Sequence, residues 1–103
     1  MEPKLSLNEA KDVVATKTRQ RVTEKSITEK IASISYYVIG EGNTGTICLI
    51  TMRNGFNVMG FSESYEPDNH DEEVGKRLAY ISAFDRLWEP EEYLLCEKLS
   101  ESE

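Results

Sequence analysis

The sequence predicts a single α+β domain over residues 1–103, in which an antiparallel sheet of about three strands packs with N-terminal helices and a long C-terminal helix. The middle of the chain is rich in β-branched and aromatic residues and is punctuated by turn residues. Apolar residues at helical spacing lie on both sides of it. The chain is 39% hydrophobic and 30% charged, which is typical of one soluble globular domain and not of a disordered chain.

Two helices are predicted before the sheet. Residues 6–9 and 26–29 both follow the pattern Ser-x-x-Glu of a capping box, which marks helix starts. After the first pattern, apolar residues at helical spacing predict a helix over residues 7–17, followed by a basic connector. The second helix is predicted from a stripe of isoleucines at Ile27, Ile31 and Ile34.

The sheet is predicted from a strand at Tyr36–Ile39 and a hairpin centred on Asn54 and Gly55. Asn-Gly is the strongest short signal for a two-residue type I′ turn, which needs a positive φ at both positions. A two-residue loop predicts that Arg53 pairs with Phe56. The pairs that follow are Thr51 with Val58, Ile50 with Met59, Leu49 with Gly60 and Cys48 with Phe61.

Both faces of this hairpin then carry large apolar side chains, and one helix layer covers only one of them. We expect a second copy of the chain on the other face, in a homo-oligomer. Leu49, Val58 and Phe56 are expected at that contact, with Gly60 allowing a close approach of backbone or ligand. In the alternative arrangement, the four predicted helices of a single chain cover both faces of its hairpin.

The longest helix is predicted before Pro90, with Asp68 or Asn69 as its N-cap. Its core face is predicted from the large apolar residues at helical spacing, which are Val74, Leu78, Ile81, Phe84 and Trp88. The segment that follows, at 91–99, is predicted to fold back as a short helix.

The charge balance narrows the range of partners. The chain has 19 acidic and 12 basic residues and a net charge of −7, which disfavours binding to long nucleic acid. A small nucleotide needs only two or three local arginines. No signal peptide or membrane-spanning run is predicted, and Cys48 and Cys96 are expected to be reduced core residues of a cytosolic protein.

The sequence predicts no catalytic site. The single histidine, His70, lies between Asp68 and Asp71, but the spacing is not that of a calcium loop and helix capping accounts for the acidic residues. Neither cysteine has a histidine nearby, and no phosphate-binding or hydrolase motif occurs. We therefore expect no metal, no cofactor and no enzymatic activity.

Two arginines are the strongest candidates for binding. Arg77 falls inside the apolar arc of the long helix, where it must extend to solvent, pair with a carboxylate, or face a ligand or another chain. Arg53 shares a hairpin face with Phe56, and an arginine beside an aromatic ring can hold a phosphate and a base together. In the alternative interpretation, residues 53–56 only satisfy the turn geometry.

These segments together resemble the small proteins of tailed phages and prophages named after gene product forty-nine of a podovirus. The likeness runs over residues 21–99, after an N-terminal helix and connector at 1–20 and before an acidic tail at 100–103. No single motif is specific, but the ordered set is. Its segments are RVT, ITEKI, SYYV, RNGF and VGKRLAY. The matching family positions are Asn54, Gly55, Phe56, Gly60, Ser62, Gly75, Ala79, Ala83 and Trp88. The chain departs from the pattern at residues 63–65 and at His70.

The resemblance implies a phage origin and little biochemistry. The layout is also similar to that of phage proteins that counter Thoeris immunity, which sequester signals of the cyclic ADP-ribose type, and in some cases cyclic oligonucleotides, without cleaving them. The expected function is therefore an anti-defence protein in the bacterial cytoplasm that binds such a second messenger at the hairpin and the long helix, across a subunit interface. The expected binding residues are Arg21, Thr23, Arg53, Asn54, Phe56 and Arg77. The alternatives are an inhibitor that masks a host protein, which the acidic charge favours, and a phage protein of another role.

Overall fold

The computed structural model describes residues 20–64 and 71–102, and it confirms the α+β class. The elements are α1 (Glu24–Thr28), β1 (Ile31–Ile39), β2 (Gly45–Met52), β3 (Asn57–Glu63), α2 (Glu72–Asp85) and α3 (Trp88–Glu101). A short 3-10 turn at Glu41–Asn43 joins β1 to β2. The predicted helix at 7–17, and also Asp68, Asn69 and His70, lie outside the described residues.

The three strands form one antiparallel sheet with β2 in the centre, and α2 packs across β2 and β3. Along β2, residues 46, 48, 50 and 52 are buried under the helices, whereas residues 47, 49 and 51 point to the other face and are only half-buried. The core lies between this helix-side face and the helices. Its buried apolar residues are Ile27, Cys48, Ile50, Met52, Val58, Ala79, Ala83, Phe84 and Leu87.

The predicted hairpin register is wrong by one residue. The loop contains three residues, 53–55, because the Met52 N–H donates to the Phe56 carbonyl and the Gly55 N–H donates to the Met52 carbonyl. Gly55 takes φ of +92° while Asn54 does not adopt a positive φ, so the turn is not type I′.

A slip of one residue moves every side chain of β3 to the opposite face. Val58, expected at a chain–chain contact, instead pairs with Ile50 in the core and is 8% exposed. Phe56 lies outside β3, at the end of the turn, and is exposed. Leu49 does lie on the face away from the helices, where it pairs with Met59 rather than Gly60.

The second predicted helix is one turn long and starts earlier than expected. Its capping box is formed by Thr23 and Ser26, whose side chains each accept the other's backbone N–H, at 3.0 and 2.9 Å. Ile27 is buried, but Ile31 and Ile34 belong to β1. The β-branched and aromatic residues from Ile31 onward favour a strand over the helical spacing of the isoleucines.

Helix α2 packs on the sheet with small residues, and the predicted core stripe is largely wrong. The buried residues are Gly75, Ala79, Ala83 and Phe84, whereas Val74, Leu78 and Ile81 are exposed. Gly60 explains why small residues of α2 are the buried ones, because the helix backbone comes very close to the strand there. A Cβ at position 60 would lie 2.1 Å from the Ala83 nitrogen and 2.3 Å from the Ala79 carbonyl oxygen. The predicted close approach at Gly60 is thus made by the α2 backbone.

The long predicted helix is divided before Pro90 into two helices, α2 and α3. Helix α2 is capped by Asp71, whose carboxylate accepts the backbone N–H groups of Glu73 and Val74. It ends at Asp85, and the turn that follows places Leu87 in the core. Pro90 lies in the first turn of α3, where its missing N–H costs no hydrogen bond.

Helix α3 confirms the predicted last helix, but none of its residues is fully buried. Cys96 is exposed on it, contrary to the core prediction, whereas Cys48 is buried as predicted; both thiols are free. None of the helices in the described part of the chain is both long enough and apolar enough to cross a membrane.

Candidate functional site

Four basic side chains meet on the helix side of the protein, at two adjoining clefts. One cleft, of about 110 Å³, is lined by α3 and by residues in and beside α1 that include Arg21. The other, of about 210 Å³, is lined by Met52, Arg53 and Asn54 of the hairpin and by α3. The two clefts share Lys30, Glu91, Leu94 and Lys98. We call the two together the basic cleft.

The basic cleft is assembled by contacts between distant parts of the chain. Lys30 Nζ lies 2.6 Å from Glu91 Oε2, which ties the start of the sheet to α3. The Arg53 N–H donates to the Lys30 carbonyl at 2.9 Å, which fixes the hairpin turn beside this ion pair. Glu91 is 13% exposed, so its carboxylate depends on Lys30 for a counter-ion.

The basic cleft is positively charged, whereas the chain as a whole is negatively charged. Its lining carries four cations and one carboxylate, a local balance of +3, in a chain of net charge −7. Lys30 forms an ion pair with Glu91. The cations that remain to bind an anionic ligand are therefore Arg21, Arg53 and Lys98. Leu94 adds apolar surface. Added together, the volumes of the two clefts just reach about 300 Å³, the lower limit for a small-molecule site.

The structure brings together three of the six predicted binding residues, Arg21, Arg53 and Asn54, around the basic cleft. The Asn54 side-chain oxygen accepts the Phe56 N–H at 3.0 Å and so shapes the turn. Phe56 itself is exposed and does not line either part of the cleft. The Thr23 hydroxyl caps α1.

Arg77 belongs to a different group on α2. It is exposed, with its guanidinium carbon 5.9 Å from the centre of the Tyr80 ring, and Lys76 lies 5.9 Å from the Tyr36 ring. Burial is the main cause that raises the pKa of both Tyr36 and Tyr80, so these phenols stay neutral. Arg77 does not line the basic cleft, so it and Arg53 do not share that site.

A third cleft, of about 330 Å³, lies at the start of α2 and is lined by the apolar Val74 and Leu78 together with hydroxyl and acidic residues. The polar residues of its lining are Thr44, Ser62, Glu63, Ser64 and Asp71, and the Ser62 hydroxyl donates to the Gly75 carbonyl at 2.7 Å. Its carboxylates disfavour an anion. Among the described residues, no group of three His, Cys, Asp or Glu side chains is placed to hold a metal ion.

Lys30, Glu91 and Lys98 were not predicted as site residues. Lys30 and Glu91 are 61 positions apart, and no local pattern links them. The available signal was weak: Lys98 follows Glu91 at i, i+7 on the same face of a helix, beside Leu94 and Leu95.

The fold and the site together define a small α+β protein with a helix layer on one face of a three-stranded sheet and a cationic cleft. Residues 22–99 match the sequence model of the Phage protein (N4 Gp49/phage Sf6 gene 66) family, and the chain belongs to this family. The match confirms the family resemblance seen in the sequence. No curated protein matches the chain, and no solved structure does.

Proposed function

We propose that this phage-family protein binds a small nucleotide in the basic cleft and holds it without chemical change. The observation that carries the proposal is the local charge of +3 in a chain of net charge −7. Arginines bind phosphate through paired hydrogen bonds, and the apolar surface of Leu94 suits a base.

The side chains in the cleft favour binding over catalysis. Ser26 is the hydroxyl residue that lines it, and its oxygen is held in the capping box, where it donates to the Thr23 carbonyl at 2.8 Å. Glu91, the one carboxylate, is paired with Lys30 and is therefore poorly placed to act as a general base. A protein that binds such a ligand and does not convert it acts by lowering the free concentration of the ligand.

In a phage protein, this activity fits an anti-defence role in the infected cell. The ligand would be a nucleotide immune signal of the cyclic ADP-ribose type or a cyclic oligonucleotide. Sequestration works in proportion to protein concentration, so a small protein of 103 residues suits it. The expectation that long nucleic acid is not bound follows from the net charge of −7, which repels a long polyanion.

Calorimetry against cyclic ADP-ribose isomers and cyclic di- and trinucleotides tests the proposal. Arg53→Gln and Lys98→Gln should each weaken binding about tenfold or more, because each removes a charge-assisted hydrogen bond of about 1.5–3 kcal/mol. Lys25→Gln is the matched control, because Lys25 is an exposed lysine of α1 that does not line the basic cleft. Arg77→Gln should also leave affinity unchanged.

Absence of binding to every one of these nucleotides at micromolar concentration would contradict the proposal. Equal losses in Lys25→Gln and Lys98→Gln would show that only long-range charge matters. The ligand released by heating the complex should be identical in mass to the ligand added. A changed mass would point to catalysis.

A second candidate function is inhibition of a host protein by masking its surface. The observation that favours it is the acidic surface at the start of α2, where the exposed Glu72 and Glu73 lie beside Asp71 in a chain of net charge −7. Such a surface can compete for a site that binds nucleic acid. A pull-down from host lysate that retains one stoichiometric protein, without nucleotide uptake, would favour this function.

A further inference from the structure

One face of the sheet is uncovered in the described part of the chain. Its residues lie on the side of the sheet opposite α2, and the large side chains among them are Tyr37, Ile39, Ile47, Leu49, Met59 and Phe61. We call this surface the open face. Tyr37 is 52% exposed, Met59 56% and Phe61 48%. Apolar groups so exposed on one flat surface mark a contact site.

The strand register arranges the open face in rows. Tyr37, Ile47 and Phe61 form one row across the three strands. Ser35, Leu49 and Met59 form the next row. The row after that is polar and contains Ser33, Thr51 and Asn57. At the other end, the row of Ile39 and Gly45 contains Glu63, the one charged side chain of the face. An apolar centre with a polar rim is the usual composition of a protein interface.

We propose that the open face is the contact surface between two copies of this chain. Its centre carries no charge, so two acidic chains can meet there without like charges at the contact. Two identical sheet faces can pack about 10 Å apart as a sandwich, with each copy contributing the same surface. The two half-exposed aromatic rings alone offer about 100 Å² each, and the whole face about 500 Å² per copy, or about 1,000 Å² in the pair, which is near the minimum for a specific interface.

Met59→Lys tests the proposal by mass measurement in solution, with light scattering after gel filtration. The unmutated protein should have twice the 11.7 kDa mass of one chain, and the variant should have the mass of one chain. Met59 is more than half exposed in the protomer, so the lysine should be tolerated there and should leave the circular dichroism spectrum unchanged. Leu49→Lys, at the centre of the same face, should give the same mass change.

Leu78→Lys is the matched control, because Leu78 is 52% exposed and lies on the outer surface of α2. This variant should remain a dimer. A single-chain mass for the unmutated protein at 100 μM would overturn the proposal. So would a dimer that Leu78→Lys dissociates and Met59→Lys does not. A monomer that binds one unrelated protein through a contact sensitive to Met59→Lys would also overturn it, because the open face would then serve a different partner. None of these outcomes bears on nucleotide binding at the basic cleft.

Discussion

Gly60 is the position where the sheet and α2 come closest, and Gly60→Ala is the sharpest test of the packing. A methyl group there would lie 2.1 Å from the Ala83 nitrogen, 2.3 Å from the Ala79 carbonyl oxygen and 2.7 Å from the Ala83 Cα. Ordinary contacts between heavy atoms begin near about 3.5 Å, so α2 must move by about 1 Å or more. No side-chain rotation relieves the contact, because all three atoms are backbone atoms.

The size of the effect follows from two opposing contributions. Replacing glycine by alanine inside a strand normally gains about 0.5–1 kcal/mol, because glycine loses more backbone entropy on folding. Overpacking a core normally costs about 1–3 kcal/mol. With the whole helix displaced from Ile50 and Val58, we expect a net loss of about 3 kcal/mol in the free energy of unfolding. The melting temperature should fall by about 12–24 °C, at about 4–8 °C per kcal/mol for a domain of this size.

Thermal unfolding followed by circular dichroism measures this loss. Gly45→Ala is the control. A Cβ added at Gly45 would lie 2.9 Å from Cγ1 of Ile39, which is a side-chain atom that can move. The free energy of unfolding should therefore fall much less in this variant than in Gly60→Ala. Adding Ala83→Gly to Gly60→Ala should not restore stability, because the clash is with backbone atoms. A melting temperature for Gly60→Ala equal to or above that of the unmutated protein would refute the packing described here.

Four further predictions concern the buried core, the Lys30–Glu91 ion pair and the two thiols. Val58→Asp should unfold the protomer rather than only dissociate an assembly, because it places an unpaired charge in the core. The free energy of unfolding should fall by about 3–5 kcal/mol. Circular dichroism should therefore show loss of the folded signal. Lys30→Gln should lower the free energy of unfolding in urea by about 1–3 kcal/mol, because the mostly buried Glu91 loses its partner; equal stability would show that the ion pair is unimportant. Burial raises the pKa of the Cys48 thiol, so the exposed Cys96 should react with iodoacetamide at once and Cys48 only after unfolding. By the same shift, the folded state keeps the Cys48 proton longer than the unfolded chain, so stability should fall as pH rises past the ordinary thiol pKa.

The sequence was sufficient to predict β2, β3, the second half of β1 and the presence of the last two helices, but not the first half of β1 or the register of the hairpin. Asn54 and Gly55 fit a two-residue turn by sequence, and only Gly55 takes the positive φ. The two candidate loops differ by one residue, and both place apolar groups on both faces. The prediction that a second apolar face needs a cover therefore survives the slip, while Val58 and Met59 exchange faces.

The buried face of α2 was mispredicted because large apolar side chains were taken as core. The alanines and Gly75 are buried instead, and they form their own stripe at i, i+4 and i+8 in Gly75, Ala79 and Ala83. Small residues at this spacing, opposite a strand glycine, indicate a close helix–sheet approach. The basic cleft was beyond sequence analysis for another reason. Arg21, Lys30, Arg53 and Lys98 come from four separate segments, and only the folded chain brings them together.

The positions of the two proposed surfaces make a joint prediction. The basic cleft includes Met52, which points to the helix side of the sheet, whereas Met59 points to the open face on the other side. A second copy on the open face would therefore leave the cleft accessible. We expect a site within each protomer rather than the site across a subunit interface that the sequence suggested. Met59→Lys should then abolish the dimer while each chain still binds one nucleotide, and Arg53→Gln should weaken binding while the dimer mass is kept. Loss of both properties in either variant would place ligand and partner chain at one shared site.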